Sequence, residues 1–202
     1  MIIYSDSGDV RLDWDVDEST GIAEKFKVYL NFEETIYEQE EDCEDNFQKQ
    51  FVLTTSTPSI NITNVQPFLK YSARITAENP YGISDRSNKV LFNTGPSIAS
   101  PPRHPSISFI PDSDNFKISA ILNWSAPCKL NGLFSIYTIS LQGSKIGFED
   151  HLIGTEGTSY SYLNLKDLKR GYDYEAKIQA GTDGYSGEPL KFAFKAPSGS
   201  EF

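Results

Sequence analysis

The sequence predicts an all-β protein built from two β-sandwich domains that follow each other along the chain in an elongated arrangement. Eight side chains occur twice, in the same order and at nearly the same spacing, which indicates two copies of one fold. Apolar residues alternate with polar ones at the two-residue period of half-buried strands, and no stretch of comparable length has a helical period. The repeated side chains are Trp14, Phe26, Val28, Leu30, Ile60, Ile62, Val65 and Tyr71 in the first copy and Trp124, Tyr137, Ile139, Leu141, Leu163, Leu165, Leu168 and Tyr174 in the second.

The strands that this alternation predicts occupy matching places in the two copies. In the first of them, Val10, Leu12 and Trp14 form an apolar face and the residues between them are polar, as in a strand with one face in solvent. Proline, glycine, asparagine and aspartate separate the strands, as turns require. The strands with the clearest alternation are 10–14, 26–32 and 71–77 in the first copy and 118–124, 137–141 and 174–180 in the second.

Each copy resembles a fibronectin type III domain. Members of that family have a tryptophan on the second strand, a tyrosine on the third, and a leucine six residues before a second tyrosine, which forms the tyrosine corner. Val65 precedes Tyr71 by six residues and Leu168 precedes Tyr174 by six, whereas Arg170 stands where the family commonly has proline. The resemblance covers nearly the whole chain and implies two seven-stranded, immunoglobulin-like sandwiches.

A segment rich in proline marks the boundary between the two copies. Residues 93–102 contain three prolines and one glycine. Because proline restricts φ, such a connector favours less hinge motion than a glycine and serine tether would. We expect one domain over residues 1–95 and a second over 96–198, with 199–202 as a cloning remnant on a piece of a longer protein.

The first copy has eight more residues than the second between its third strand and the next one. Leu30 matches Leu141 at an offset of 111, whereas Ile60 matches Leu163 at an offset of 103. The extra residues fall in a long acidic segment, at about residues 33–48. An insertion in a sheet protein belongs in a loop, so this segment is predicted to be a solvated loop.

The two cysteines are predicted to meet where the domains join. Cys43 lies in the acidic segment, and Cys128 follows the strand that contains Trp124. Because consecutive strands alternate in direction, both loops are expected at the junction. We therefore predict a Cys43–Cys128 disulfide, for which the Cα atoms must approach within about 7 Å. Two unrelated free cysteines are the alternative.

The charge of the chain argues against several classes of function. The net charge of −10 is concentrated in the first copy, which has 17 acids and 8 bases through residue 95, hence −9, while the remainder carries −1. Such a surface lacks the lysine and arginine patches that bind nucleic acid or an anionic membrane. No apolar run approaches the roughly 20 residues of a membrane-spanning helix, so we expect no membrane insertion by this chain.

No group of residues predicts catalysis, a metal site or a cofactor. His104 lies beside the linker and His151 is expected in a loop, and neither has a cysteine or carboxylate set around it. The acidic segment lacks the glycine turn and the regular ligand spacing of a calcium loop. Exposed, mobile carboxylates serve poorly as acid or base. We therefore expect no enzyme in this chain, although the full-length protein could carry a cytoplasmic phosphatase or another catalytic domain.

Two N-x-S/T sequences predict N-linked glycans at Asn61 and Asn123. The neighbouring Ile62 and Trp124 belong to the inward faces of their strands, which turns both asparagines outward. An exposed strand face can carry a glycan without disturbing the core. An unmodified surface asparagine is the alternative at each site.

The resemblance implies a binding or spacing module in the extracellular part of a single-pass receptor or adhesion protein, since receptor tyrosine phosphatases and neural adhesion molecules carry such tandems; a secreted protein is the alternative. The partner would be a protein that contacts loops or a sheet face. A purely structural spacer and an accessory module of a secreted enzyme remain as other functions. The candidate contact residues are Asn79 and Tyr81 in one turn and Glu40, Glu41 and Asp42 in the acidic segment.

Overall fold

The computed structural model describes residues 1–6, 8–17, 21–36, 42–44, 47–110 and 116–198. All regular elements among these residues are β-strands, and the chain divides into two compact units between Ser97 and Ile98. Each unit contains one three-stranded and one five-stranded antiparallel sheet. The prediction of an all-β chain with two sandwich domains is therefore confirmed.

The first domain contains the strands β1 (Ile2–Asp6), β2 (Asp9–Asp13), β3 (Lys25–Thr35), β4 (Gln50–Thr55), β5 (Ser59–Ile62), β6 (Leu69–Asn79), β7 (Gly82–Ile83) and β8 (Val90–Asn93). One sheet has the order β1-β2-β5. The other has the order β4-β3-β6, and β7 and β8 both pair with β6. All of these pairings are antiparallel.

The second domain repeats this topology with β9 (Arg103–Ile110), β10 (Lys117–Ser125), β11 (Phe134–Ser144), β12 (His151–Thr158), β13 (Tyr162–Lys169), β14 (Asp173–Thr182), β15 (Tyr185–Ser186) and β16 (Leu190–Lys195). Its sheets have the orders β9-β10-β13 and β12-β11-β14, with β15 and β16 both paired to β14. In each domain the last two strands pair with successive parts of one neighbour and form one interrupted edge. Counted in this way, each sandwich has seven strands, as the resemblance implies.

The repeated side chains form the two hydrophobic cores. Val28 and Tyr71 are buried in the first domain, and Ile139 and Tyr174 are buried in the second. Each core belongs to one domain, because the apolar face of each sheet is covered by its partner sheet.

The two tryptophans differ in burial. Trp124 lies on β10 and is buried, and its ring packs edge-on against Tyr137 with the centroids 5.3 Å apart. Trp14 packs against Phe26 in the same way, at 5.4 Å, but it follows the end of β2 and is partly exposed. The expectation of a strand through Trp14 is therefore wrong at its last residue. The Trp14 backbone N–H donates to the carbonyl oxygen of the opposing Pro58 at 3.0 Å, but Pro58 has no N–H with which to return a bond, and β2 ends at Asp13.

The departure from the family pattern at Arg170 has a structural basis. The backbone N–H of Arg170 donates to the carbonyl oxygen of Phe116 at 2.9 Å. Proline, which stands at the matching position 67 of the first domain, has no N–H and cannot make this bond.

The insertion lies between β3 and β4. Residues 36–49 connect these strands and residues 145–150 connect β11 to β12, so the difference is the eight residues expected from the offset. The segment begins later than predicted, because β3 continues through Glu33 and Glu34, with Glu34 paired to Lys70 of β6 after a register shift at Glu33. The expectation that a solvated loop begins at residue 33 is therefore corrected to residue 36.

Candidate recognition surfaces

The turn between β6 and β7 presents an aromatic side chain to solvent. Asn79 pairs with Gly82 across this hairpin, and its Oδ1 accepts a hydrogen bond from the backbone N–H of Tyr81 at 3.0 Å. This bond and the restricted φ of Pro80 hold the two-residue loop in one shape. The Tyr81 side chain is 97% exposed, so Asn79 shapes the turn and Tyr81 is the group that it presents.

A cleft lined by both apolar and polar residues lies beside this ring. Ile83, the last residue of β7, is 68% exposed, and it lines a cleft of about 280 Å³ together with Tyr81, Val16 and Ala23. We call Tyr81, Ile83 and this cleft the Tyr81 patch. Exposed aromatic residues on ordered backbone are enriched where proteins bind one another.

The second domain has no counterpart of the Tyr81 ring. Its matching hairpin, between β14 and β15, turns at Asp183 and Gly184, which have φ values of 46° and 86°. Gly184 stands at the position of Tyr81 under the offset of 103. The tip of this hairpin therefore carries an aromatic ring in the first domain alone, whereas in the second domain the exposed aromatic residue is Tyr185 at the start of β15, at 41%.

The acidic candidates divide into described and undescribed residues. Asp42 is exposed in a turn, whereas Glu40 and Glu41 lie outside the described residues. Within β3, Glu33 forms an ion pair with Lys89 at 2.7 Å and Glu34 with Lys70 at 2.6 Å. Hydrogen bonds from Lys89 and Ser72 lower the pKa of Glu33 below its ordinary value of 4.5. These two acids are therefore paired strand residues and do not extend a free acidic loop.

Neither cysteine is a free thiol. Cys43 and Cys128 are both disulfide-bonded. Each is partly buried. The alternative of two free cysteines does not describe this structure.

Both N-x-S/T asparagines lie on three-stranded sheets. Asn61 is exposed on β5, and Asn123 is partly buried on β10. The neighbouring Ile62 and Trp124 are buried in the cores, so both asparagines point to the outer face of their sheet.

Two tyrosines that the sequence analysis did not select form an exposed aromatic pair. Tyr162 begins β13 and Tyr160 precedes it by two residues; their rings stack with centroids 5.4 Å apart and planes at 27°. They are 43% and 62% exposed. They also line, with Leu152 of β12, a groove of about 760 Å³ between two edge strands. The signal in the sequence is a pair of tyrosines two positions apart just before a predicted strand, although Tyr160 itself lies in a bend.

The histidines have structural positions. His104 belongs to β9 and His151 is the first residue of β12, so the expectation of a loop for His151 is wrong. β12 begins as early as His151 because His151 pairs with Gly143 at the end of the β11–β12 ladder. Within the described ranges, no group of three or more histidine, cysteine or acidic side chains is arranged to hold a metal ion.

The described part of the chain contains no helix that is long and apolar enough to cross a membrane.

The fold and these surfaces define a pair of tandem β-sandwich domains with an exposed aromatic turn and solvent-facing sheets. The chain is similar to neural cell adhesion molecule L1 of Takifugu rubripes, at 26% identity over 187 residues and 90% of the chain. It is also similar to tyrosine-protein phosphatase Lar of Drosophila melanogaster, at 25% over 71% of the chain, and to cell adhesion molecule DSCAML1 of Gallus gallus, at 24% over 73%. No protein-family model matches the chain.

The chain spans a small part of each relative, namely 14% of the L1 protein and 7% of Lar and of DSCAML1. Two of the three names denote adhesion molecules and the third a tyrosine phosphatase. These similarities agree with the resemblance to the tandem domains of adhesion receptors.

Proposed function

We propose that this chain is an extracellular recognition module of a cell-surface adhesion receptor and that it contacts a protein partner through the Tyr81 patch. The similarity to two adhesion molecules supports the class of function. The observation that carries the choice of surface is Tyr81, 97% exposed on a turn that Asn79 holds in place.

The turn is suited to binding because little conformational freedom is left to lose. A tyrosine contributes a large contact area with two side-chain torsions, and its backbone is already ordered by a hydrogen bond and a proline. The neighbouring Ile83 and the cleft add apolar surface that a partner can cover. The exposed Asp42 is a second candidate contact for a basic partner, together with Glu40 and Glu41 of the same segment.

The proposal places the chain in the extracellular part of a single-pass membrane protein, with a secreted protein as the alternative. Disulfides persist in oxidising compartments, and N-linked glycans are added to secreted chains. We propose a Cys43–Cys128 disulfide that joins the domains and glycans at Asn61 and Asn123. Peptide mapping without reduction tests the bridge: recovery of both cysteines as alkylated thiols from secreted protein would reject it.

The experiment that tests recognition uses the chain secreted from mammalian cells and displayed as a multimer on an array of extracellular domains, including the chain itself. For each partner found, we expect Tyr81→Ser and Ile83→Ser to weaken binding by about tenfold or more, as for residues at the centre of an interface. Tyr4→Ser is the matched control, because Tyr4 is also an exposed tyrosine, at 60%, on another surface.

The array also distinguishes the remaining functions. Partners whose binding is unchanged by substitutions at Tyr81 and Ile83 would reject the patch while keeping the recognition module. If the complete array yields no binding partner, the result would favour a structural spacer. Selective binding to a polysaccharide or another polymeric substrate would favour an accessory module of a secreted enzyme. Relatives such as Lar allow that the parent protein also carries a phosphatase domain.

A further inference from the structure

We propose that the glycan on Asn123 packs its first sugar against Tyr162 and covers the outer face of the β9-β10-β13 sheet. The proposal deepens the proposed function, because it depends on the extracellular, glycosylated state of the chain. It assigns a carbohydrate contact to Tyr162 and Tyr160 and an occupant to a partly apolar sheet face.

Strand register places Asn123 and Tyr162 side by side. In the antiparallel ladder of β10 and β13, Asn123 lies directly opposite Tyr162, and on its other side it lies opposite Ser106 of β9. Directly opposed residues point to the same face, with Cβ atoms about 4.5–5.5 Å apart. Leu122 and Trp124 point into the core, so Asn123 and Tyr162 share the outer face.

The aromatic surface continues beyond this pair. Tyr160 stacks on Tyr162 at 5.4 Å and both rings are exposed, so the aromatic surface extends beyond the residue opposite Asn123. The apolar face of a pyranose ring packs well on an aromatic face, and the phenolic hydroxyls remain free to hydrogen-bond sugar hydroxyls. Ser106, on the opposite side of Asn123, is small and exposed and leaves room for the branch.

The same face is more apolar than a sheet face in solvent usually is. Ile121 lies two residues before Asn123 on the outer side of β10 and is only partly buried. Ile110 of β9 is 42% exposed and pairs with the outward Ser119. A glycan rooted in the middle strand covers these side chains, and it would exclude a protein partner from this face.

The first domain supplies a matched contrast. Asn61 of β5 lies opposite Arg11 of β2, and Tyr4 of β1 lies one strand further, opposite Arg11 on its other side. The Arg11 guanidinium donates hydrogen bonds to the Asp13 carboxylate, with N–O distances of 3.0–3.2 Å. Two strand spacings of about 4.7–4.9 Å each separate Asn61 from Tyr4, so among the described residues no aromatic side chain lies directly opposite Asn61 in the ladder.

The attachment itself is the ordinary transfer from a lipid-diphosphate-linked oligosaccharide. The Asn123 amide nitrogen loses one proton and forms a bond to the anomeric carbon of the first N-acetylglucosamine. The bond between that carbon and the diphosphate oxygen breaks, and the lipid diphosphate leaves with the electron pair. The later packing on Tyr162 is noncovalent.

The test begins with site occupancy and then measures coupling. The chain is secreted from mammalian cells, its glycopeptides are mapped by mass spectrometry, and the glycans are trimmed enzymatically to one N-acetylglucosamine per site. Thermal unfolding is compared for the wild type, Tyr162→Ser, Asn123→Gln and the double variant. We expect the loss in Tm from Tyr162→Ser to be about 4 °C larger with the sugar on Asn123 than without it.

The control cycle uses Tyr4→Ser and Asn61→Gln, for which we expect additive changes in Tm. A second readout is nuclear Overhauser contact between the Tyr162 ring protons and the N-acetylglucosamine protons. An unmodified Asn123 in secreted protein would overturn the proposed glycosylation itself. An occupied Asn123 with additive changes in Tm and without ring–sugar contacts would overturn this inference alone.

Discussion

The Nδ1 atom of His151 lies 2.8 Å from the hydroxyl oxygen of Tyr174, which also accepts a hydrogen bond from the backbone N–H of Lys169 at 2.8 Å. With the neutral imidazole protonated on Nε2, the Tyr174 hydroxyl donates to Nδ1 while its oxygen accepts from Lys169. His151 begins β12 of one sheet and Lys169 ends β13 of the other. One hydroxyl therefore connects the two sheets of the second domain.

This contact predicts that acid destabilises the second domain. Burial lowers the pKa of His151 below its ordinary value of 6.5, and the charges of Lys169 and Lys117 lower it further against an opposing effect of Asp167. Because the unfolded chain then binds the proton more readily than the folded one, stability is lost as the pH falls below 6.5. We expect the free energy of unfolding in urea to fall between about pH 7 and pH 5.

The variant His151→Gln removes this titration and keeps a polar side chain. We expect its free energy of unfolding to vary less with pH over the same range, although it is less stable than the wild type at neutral pH. An unchanged pH dependence in His151→Gln would show that other groups are responsible.

The two tyrosine corners are predicted to respond differently to loss of the hydroxyl. Among the described residues, the buried Tyr71 hydroxyl has no hydrogen-bond partner, and burial raises the pKa of Tyr71 to about 12. The Gln66 backbone, five residues earlier, opposes that shift without reaching hydrogen-bond geometry. Tyr174 bonds the backbone of Lys169 at the same separation of five.

Tyr174→Phe should therefore cost about 1–3 kcal/mol, since it leaves a backbone N–H and His151 unpaired. Tyr71→Phe should change the free energy of unfolding by less than about 0.5 kcal/mol, or stabilise the domain, because no bond is lost. Urea unfolding followed by tryptophan fluorescence in Trp14→Phe and Trp124→Phe backgrounds assigns each change to one domain, because each background keeps a tryptophan in only one domain. Equal losses in both variants would contradict the difference between the corners.

Gly143 is predicted to be required by the ring of Tyr174. The two residues are paired between β11 and β14, and a Cβ atom on Gly143 would lie 2.8 Å from two carbons of the ring. We expect Gly143→Ala to destabilise the second domain by about 1–3 kcal/mol, as overpacking does. Gly154→Ala is the matched control, because a Cβ there meets no atom within 4 Å. Equal effects of the two substitutions on chemical unfolding would refute the steric argument.

The ion pair between Glu33 and Lys89 predicts that the lowered pKa of the Glu33 carboxyl depends on Lys89. The hydrogen bond from Lys89 is the largest cause of the lowered pKa of Glu33, and Lys70 contributes only through its more distant charge. Lys89→Gln should therefore raise the pKa of Glu33 more than Lys70→Gln does. Carboxyl carbon shifts followed by NMR during an acid titration measure both values. A Glu33 that titrates at 4.5 in the wild type would instead favour the solvated loop that the sequence predicted.

The insertion shows how far sequence reasoning extends. The offset between the copies predicted eight extra residues, and the connections 36–49 and 145–150 differ by that number. The starting point was wrong by three residues, because acidic composition resembles a loop while Glu33 and Glu34 are held in β3 by lysines distant in sequence. The acidic composition of a segment indicates that it is solvated, but it does not show which distant lysines will pair with its acids.

The aromatic residues show the same division. Tyr81 is a candidate from the sequence alone because it is an aromatic residue in a turn expected to be exposed, and the structure shows that exposure. Tyr160 and Tyr162 were overlooked, because their importance depends on Asn123, which lies 39 residues before Tyr162 and beside it in the sheet. The same holds for His151, which was expected in a loop and instead contacts Tyr174.

The sequence by itself determined that the chain is all-β, that the fold occurs twice, and which side chains form each core, because alternation and repetition are properties of residues close together along the chain. Only the tertiary structure decided which side chains lie beside one another across strands: Asn123 with Tyr162, His151 with Tyr174, and Glu33 with Lys89. Those neighbours are set by register, and register results from the packing of whole sheets.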